Sequence, residues 1–590
     1  MINITINGKP HMTHENQTIL QVAKKAGILI PHLCYLEGVH DCGSCRICIV
    51  EVEGQGNFQA SCMTKVSDGM VIKTNTEELR HARRLIYELI LSDHNKDCLS
   101  CTRNQSCELQ TMGDTLNLTT QRFEGARSKV VIETSNPSIE RDMTKCILCR
   151  RCVTMCNEVQ GVGVLNPQNR GFMTVIGPSE GFALNEVNCT YCGQCTTVCP
   201  VGALKEKDAI SDVWAAIQDP DKRVIVQTAP AVRAALGEEF DYKPGTLVTG
   251  KMTTALRLLG FDDVFDTNFA ADLTIIEEGH ELLGRLQMAL SGEGTTLPMI
   301  TSCSPGWIKY AEHAFPEQLD NLSSCKSPHM MLGALTKSFY AEKIDVSAKD
   351  MYVVSVMPCT AKKFEVSRDE MVDDVDTVIT TRELARMIKM AGIDFTNLKE
   401  GEFDNPLGLS SGAADIFGTT GGVMEAAIRT VYELVVGEEL PFEDLHIKPL
   451  VGFDGIKSAE LHIAKTTDEW KMLEGQTLKV AVASGLSNAK VLLQQIKDGT
   501  SPYHFIEIMC CPNGCISGGG QPRPITEEIR EKRMHAIYRE DENKELRKSH
   551  DNPYIAKLYK DYLGTPLGHK SHELLHTQYV KRGKYNEFIK

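Results

Sequence analysis

The sequence predicts a multidomain α+β protein: several small cysteine-rich domains ahead of one large α/β domain with mostly parallel sheets. Three observations carry this. Most of the 22 cysteines of the 590-residue chain fall in tight groups ahead of Pro200. Beyond Asp212 cysteine becomes sparse, and short β-branched runs alternate with helical stretches, the pattern of parallel strands joined by crossover helices. The chain is also long enough to bury several separate cores. A net charge of −15 argues against nucleic acid and anionic membrane as partners. No apolar run approaches the roughly 20 residues of a spanning helix. The start, Met1–Ile4, lacks the basic and apolar regions of a signal peptide, so a cytoplasmic location is expected. Disulfide-dense chains are small and secreted. A large chain with clustered cysteines points to metal ligation instead.

The elements follow in order. Ile2, Ile4 and Ile6 alternate with polar residues and Asn7-Gly8 follows, which reads as a strand and a hairpin turn. Thr18 to Ala26 reads as a short helix stopped by Gly27. Cys34, Cys42, Cys45, Cys48 and, after the strand Ile49–Val52, Cys62 suit a plant-type 2Fe–2S cluster. Their spacing resembles the amino-terminal domain shared by FeFe-hydrogenases and the large iron–sulfur subunit of respiratory complex I. That resemblance selects Cys34, Cys45, Cys48 and Cys62 and leaves Cys42 as a buried, inert thiol.

His94, Cys98, Cys101 and Cys107 could by themselves hold zinc or a 4Fe–4S cluster. Directly after the first domain they look like the His/Cys3 4Fe–4S site of the same two families. Imidazole in place of thiolate removes negative charge and raises the cluster's potential. The internal repeat Cys146-x2-Cys149-x2-Cys152-x3-Cys156 and Cys189-x2-Cys192-x2-Cys195-x3-Cys199, with Pro200, is that of a bacterial two-cluster ferredoxin. The fourth cysteine of each run there ligates the other cluster. Cys199 therefore joins Cys146, Cys149 and Cys152, and Cys156 joins Cys189, Cys192 and Cys195.

In the remainder, β-branched runs at Val224–Val226, Val353–Val356, Val378–Ile379, Val480–Val482 and Phe505–Ile508 predict strands, with helices such as Ala489–Ile496 between them. Several runs end at cysteine: Cys303, Cys359, and Cys510-Cys511 with Cys515. Ligands bind at the carboxyl ends of strands in open α/β sheets, so one more buried metal site is expected there.

Thr301–Trp307, Met357–Lys363 and Glu507–Cys515 resemble the three signature segments of FeFe-hydrogenases; Thr419–Glu425 and Gly518–Pro522 are also typical. The resemblance spans essentially the whole chain. It implies an H-cluster, a 4Fe–4S cubane bridged by one cysteine to a diiron unit with CO, CN⁻ and azadithiolate. The implied reaction is reversible oxidation of H2. By resemblance, Cys359, Cys511 and Cys515 are cubane ligands, Cys515 bridges, and Lys362 binds a cyanide. Met357 and Met509 pack on the diiron unit, beside Pro230 and Ala231, where Ala231 stands for a usual serine. Cys303, Glu278, Ser323, Glu281 and Arg285 match the proton relay.

One departure is central. The family's first signature has two adjacent cysteines, the second a cubane ligand, and here it is Ser304. Ser304 as alkoxide, a displaced Cys303, or Cys325 or Cys510 could supply the fourth ligand; a non-standard ligand or Ser304 itself is expected. His329 replaces a usual glutamine and is expected to make a hydrogen bond beside the site. Lys548–His550 and Ser571–His576 resemble a terminal segment that wraps the catalytic domain, with packing or surface histidines.

The expected organisation is a 2Fe–2S domain over 1–78, a His/Cys3 domain over 79–118, a linker over 119–137, a two-cluster ferredoxin over 138–209 and an H-cluster domain over 210–590. The expected cofactors are one 2Fe–2S cluster, three 4Fe–4S clusters and the H-cluster. The expected partners are ferredoxin or flavin/NAD-linked subunits, and maturation enzymes for the diiron unit. No Gly-rich strand–turn–helix motif for a nucleotide occurs, so NAD chemistry would need a partner subunit. The rival readings are the hydrogen-activating subunit of an NAD-linked electron-bifurcating complex, a hydrogen sensor, and a purely electron-carrying subunit like that of complex I.

Overall fold

In the computed structural model, residues 1–128, 130–371, 373–441 and 445–583 are described. The end of the last expected domain, at 590, lies outside them. The chain divides into two units. The first comprises 1–159, 163–187 and 198–205, and the second 160–162, 188–197 and 206–590.

In the first unit, β1 (Ile2–Ile6) and β2 (Lys9–Thr13) form the expected hairpin, with Asn7 and Gly8 both at positive φ. β5 (Val71–Lys73) pairs parallel with β1 and antiparallel with β3 (Ile49–Val52), which pairs with β4 (Gln59–Ala60). The inward side chains Ile2, Ile4, Ile6, Val50 and Ile72 pack against Ile19, Leu20, Val22 and Ala23 of the helix Ile19–Lys25. That helix starts at a capping box, in which Thr18 and Gln21 satisfy each other's backbone N–H groups. Helices Glu77–Ser92 and Glu108–Thr115 follow. Two hairpins, β6 (Ile132–Glu133) with β7 (Ile139–Asp142) and β8 (Asn166–Gln168) with β9 (Val175–Gly177), precede β10 (Leu204–Glu206).

The second unit holds two sheets. One has the order β12–β11–β14–β15, all parallel: β11 is Arg223–Thr228, β12 Asp263–Asp266, β14 Met351–Met357 and β15 Thr377–Thr380. The other is β13–β18–β17–β16, with β13 (Met299–Ile300), β17 (Thr477–Ser484) and β18 (Phe505–Met509) parallel and β16 (Ile456–His462) antiparallel at its edge. Central strands are buried on both faces, and β11, β14 and β18 are buried along almost their whole length, including the polar residues Gln227, Ser355 and Glu507.

The helix Asn268–Ser291 is buried along most of its length, Glu277 and Glu278 included. The terminal segment is fastened by buried polar contacts. Asp272 accepts hydrogen bonds from Ser549, Asn552 and Ser411. Arg429 of the helix Gly422–Val436 is paired with Asp541 at 2.9 Å and Glu425 at 2.7 Å, all fully buried. Truncating one partner of such a pair leaves an uncompensated charge, costing about 3–5 kcal/mol.

Candidate active site

In the first unit the thiols expected to act together are together. Cys48 and Cys62 lie 3.4 Å apart, and Cys34 is hydrogen-bonded to Cys45 and Cys62. Those bonds pull the Cys34 thiol far down and push Cys45 and Cys62 far up, as when one negative charge is shared. Cys42 corrects its expectation. It is half-buried rather than buried, and its Sγ lies 2.9 Å from Nε2 of His40. The same ring reaches the Cys149 carbonyl at 3.0 Å and Thr154 Oγ1 at 2.6 Å. Arg151 contacts the Cys34 and Tyr35 carbonyls and forms a bidentate pair with Glu108, next to Cys107.

Two small cavities lie in this unit. One is lined by His94, Cys98, Cys101 and Cys107, the other by Cys146, Cys149, Cys152 and Cys199. In the first cysteine run Leu148 and Arg150 take positive φ; Tyr191 and Gly193 do so at the equivalent positions of the second. The repeat is thus one of backbone path as well as sequence. Cys189, Cys192 and Cys195 belong to the second unit, Cys156 to the first.

In the second unit one cavity gathers the strand ends. Its volume is about 90 Å³. β11 leads to Pro230 and Ala231, β13 to Cys303 and Ser304, β14 to Met357 and Cys359, and β18 to Met509, Cys510, Cys511 and Cys515, all lining it with Lys362 and His329. The glycine run lets the loops close in: a Cβ at Gly518 would sit 2.1 Å from the Pro358 carbonyl oxygen. Burial, then the charge of Cys511, pushes the Cys515 thiol up to about 12, and the same causes raise Cys359. Several buried thiols facing one apolar space fit an iron–sulfur group, since a metal deprotonates its thiols and relieves that penalty. Cys510 donates its backbone N–H to Ser304 Oγ at 3.3 Å, and its thiol is hydrogen-bonded to Cys192 and Cys511. Cys325 is elsewhere, among apolar side chains such as Phe269, Met331 and Leu575.

The five expected relay residues are also brought together. Burial, then the neighbouring Cys303–Glu278 repulsion, keeps the Cys303 thiol well above its ordinary value. Glu278 is fully buried, and burial followed by Glu281 pushes its carboxyl up to about 8. Its Oε2 has no hydrogen-bond partner and Oε1 faces Ser302 Oγ at 3.4 Å. Ser323 Oγ donates to Glu281 Oε2 at 2.7 Å, and Arg285 donates to Glu281 Oε1 at 2.7 Å. Arg285 also reaches the Leu322 carbonyl at 2.8 Å, which fixes the outer end.

Lys362 donates to Glu365 at 2.7 Å and to the Cys303 carbonyl at 3.1 Å. His329 is 2.6 Å from Glu365 and 3.1 Å from Ser355. Burial, then the Lys362 charge, lowers His329 to about 4, so it is a neutral hydrogen-bonding ring near neutrality. Sequence reading missed Glu365 and Ser302. Glu365 lies three residues from Lys362 on one helix face, a spacing that signals a pair; Ser302 adjoins Cys303 but has no pattern of its own.

The Thr419–Glu425 motif is held by Glu507, which accepts the Gly421 and Met424 N–H groups at 2.7 Å each. A carboxylate thus caps the amino terminus of the helix Gly422–Val436 and satisfies its free N–H groups.

Comparison with known proteins bears on the same regions. A family profile described as iron only hydrogenase large subunit, C-terminal domain, matches residues 222–519, and one for the iron hydrogenase small subunit matches 527–582. A 2Fe-2S iron-sulfur cluster binding domain matches 1–77. An iron-sulfur binding region of NADH-ubiquinone oxidoreductase-G matches 83–122, and a ferredoxin-like domain of NADH-quinone oxidoreductase subunit 3 matches 136–205. The NADP-reducing hydrogenase subunit HndD of Solidesulfovibrio fructosivorans is 50% identical, over 99% of both chains. Iron hydrogenase 1 of Clostridium pasteurianum is 40% identical, over 98% of this chain and 100% of its own. A solved structure of HydA1 from Chlamydomonas reinhardtii has a TM-score of 0.57 and 46% identity, covering 63% of this chain and 99% of that one.

Proposed function

Because the chain belongs to the iron-only, or FeFe, hydrogenase family, we propose a specific division of labour among its residues. The protein is an oxidoreductase acting on H2 at an H-cluster, with iron–sulfur domains that relay electrons. The bound H-cluster supplies the redox chemistry by which H2 yields two protons and two electrons, reversibly. Cys359, Cys511 and Cys515, which line one cavity, would hold the cubane of that cluster. Lys362, held by Glu365, presents its ammonium to an anionic ligand, and Met357, Met509, Pro230 and Ala231 form the apolar walls.

We assign the fourth cubane position to Cys510. It lies beside Ser304, lines the same cavity and contacts Cys511. A thiol ionises far more readily than a serine hydroxyl, so a Cys510 thiolate is favoured over a Ser304 alkoxide. Protons pass between Cys303 and Glu278, then through Ser323 to Glu281 and Arg285. A carboxyl titrating at about 8 both gives and takes a proton near neutrality, which suits a reversible relay.

The domain organisation we propose is 1–78 for the 2Fe–2S domain, 79–118 for the His/Cys3 domain, a linker over 119–137, 138–209 for the two-cluster ferredoxin and 210–590 for catalysis; the order of the family matches agrees with it. The proposed ligands are those that the cysteine runs and the family resemblance together imply. They are Cys34, Cys45, Cys48 and Cys62; His94, Cys98, Cys101 and Cys107; Cys146, Cys149, Cys152 and Cys199; and Cys156, Cys189, Cys192 and Cys195. A likeness to a protein named as an NADP-reducing hydrogenase subunit favours electron exchange with a flavin/NAD(P)-linked partner in the cytoplasm.

The observation that carries this reading is one cavity uniting three strand-end cysteine segments with a protonatable buried glutamate behind Cys303. Infrared spectra of protein matured with the family's maturation enzymes test it. Bands of bound CO and CN⁻ are expected, and their absence would refute it.

A further inference from the structure

Beside the relay, and sharing Glu281 with it, lies a second cluster whose other members hydrogen turnover does not use. Glu281, Cys325 and His576 offer a carboxylate oxygen, a thiol and a ring nitrogen within 4.8 Å of one another. Cys325 Sγ is 4.0 Å from Glu281 Oε2 and 4.0 Å from His576 Nδ1. The backbone fixes this approach. Cys325 and His576 face each other in a short antiparallel bridge, flanked by Lys326 N–H to the Leu575 carbonyl and Thr577 N–H to the Ser324 carbonyl, both 2.7 Å.

The ring is oriented for ligation. His576 Nε2 lies 3.1 Å from Glu277 Oε2. Burial opposes ionisation of Glu277, but donors from His576, Ser571, Tyr559 and the Leu567 N–H outweigh it and hold its carboxyl below the usual value. A carboxylate accepting Nε2–H leaves Nδ1 with a lone pair aimed at Cys325 and Glu281, with Ser324 Oγ 2.8 Å away. Carboxylate–histidine pairs of this kind orient imidazole ligands in zinc sites. Exposed His572, its ring stacked on His576 at 4.7 Å between centroids, provides a first contact for an ion from solvent.

We propose that Glu281, Cys325 and His576 form a binding site for a soft divalent cation of the Zn²⁺ class, and that its occupancy stops proton relay. One thiolate, one imidazole and one carboxylate, completed by water or the Ser324 hydroxyl, make a tetrahedral zinc set. On binding, the Cys325 S–H proton leaves to solvent as the metal–sulfur bond forms, so affinity rises with pH. The metal takes Glu281 Oε2, the atom that Ser323 donates to, and breaks the relay at its outer half. The blocking step rests on the relay reading of Glu281; the site itself does not.

The test is ZnCl2 titration of matured holoenzyme, read by H2 evolution from reduced methyl viologen and by zinc K-edge X-ray absorption at one equivalent. The expected result is saturable inhibition of at least tenfold, reversed by chelator, with one sulfur and nitrogen or oxygen neighbours about zinc. Cys325→Ala and His576→Gln should each need at least tenfold more zinc, and Cys325→Ala should lose the sulfur neighbour. Cys325→Ser, of nearly the same size, guards against a packing effect and should behave as Cys325→Ala does. No sulfur neighbour in the wild type, or unchanged inhibition in Cys325→Ala, overturns the site. A sulfur-bound zinc with undiminished turnover overturns the blocking step, and with it the relay role of Glu281.

Discussion

Replacing Glu278 by glutamine keeps the side chain's shape and its contact with Ser302 but removes the only proton it can carry. Raising a carboxyl from the usual 4.5 to about 8 means that ionising Glu278 in place costs about 5 kcal/mol more than in water. At pH 7 about one molecule in ten then carries it ionised. H2 oxidation needs the ionised form to accept a proton from Cys303, so oxidation should rise with pH through about 8. Evolution needs the protonated form and should fall over the same range. Glu278→Gln should lower both rates by ~10² or more, the usual weight of a positioned acid–base group, and abolish the inflection. Stability carries an independent signature. The native state holds a proton that the unfolded chain has released between pH 4.5 and about 8, so wild-type stability declines across that window. Glu278→Gln removes this decline: the two proteins should melt alike near pH 4, and the variant should be more stable above pH 8, by up to about 5 kcal/mol. Viologen-linked assays from pH 6 to 10, with thermal unfolding of both proteins, measure all of this. A variant keeping more than half the wild-type rates, with the wild-type pH profile, would refute the relay assignment.

Other outcomes follow from the same geometry. Alanine at Cys359, Cys511 or Cys515 should abolish the infrared bands of CO and CN⁻ and lower iron content, while the amino-terminal cluster signals persist. Cys510→Ala should change the electron paramagnetic resonance of the reduced cubane and Ser304→Ala should alter it little; the reverse pattern would return the fourth position to Ser304. Cys325→Ala should leave that resonance untouched, because Cys325 lies outside the cavity. His329→Gln should keep activity within about threefold and leave the pH profile between 6 and 9 unchanged, since the ring is already neutral there.

Much of the molecule was legible because its signals are local. In the ferredoxin repeat the ligands recur every three or four residues, and a repeated run of that spacing marks a cluster site whatever the rest of the chain does. The strands ending at Cys359 and Cys510 were legible for a related reason: β-rich apolar runs announce a central parallel strand. The Glu365 support of Lys362 and His329 was not read, because His329 reaches it across 36 residues. Cys42 illustrates the limit more sharply. Its neighbour His40 adjoins it in sequence, but the second partner of that ring, Cys149, is 109 residues away.

By itself the sequence determined that cysteine-cluster domains precede a large α/β domain with one more buried metal site at its strand ends, because thiolate spacing and strand-end signatures are written in consecutive residues; that the last domain activates hydrogen came from the resemblance those signatures carry. Only the tertiary structure decided what the two adjacent acids Glu277 and Glu278 do. Successive helical residues point about 100° apart, so one meets His576, Ser571 and Tyr559 and stays ionised, while the other meets an apolar interior and a second acid and keeps its proton. The difference lies in the surroundings, which folding supplies from nearly 300 residues further along the chain.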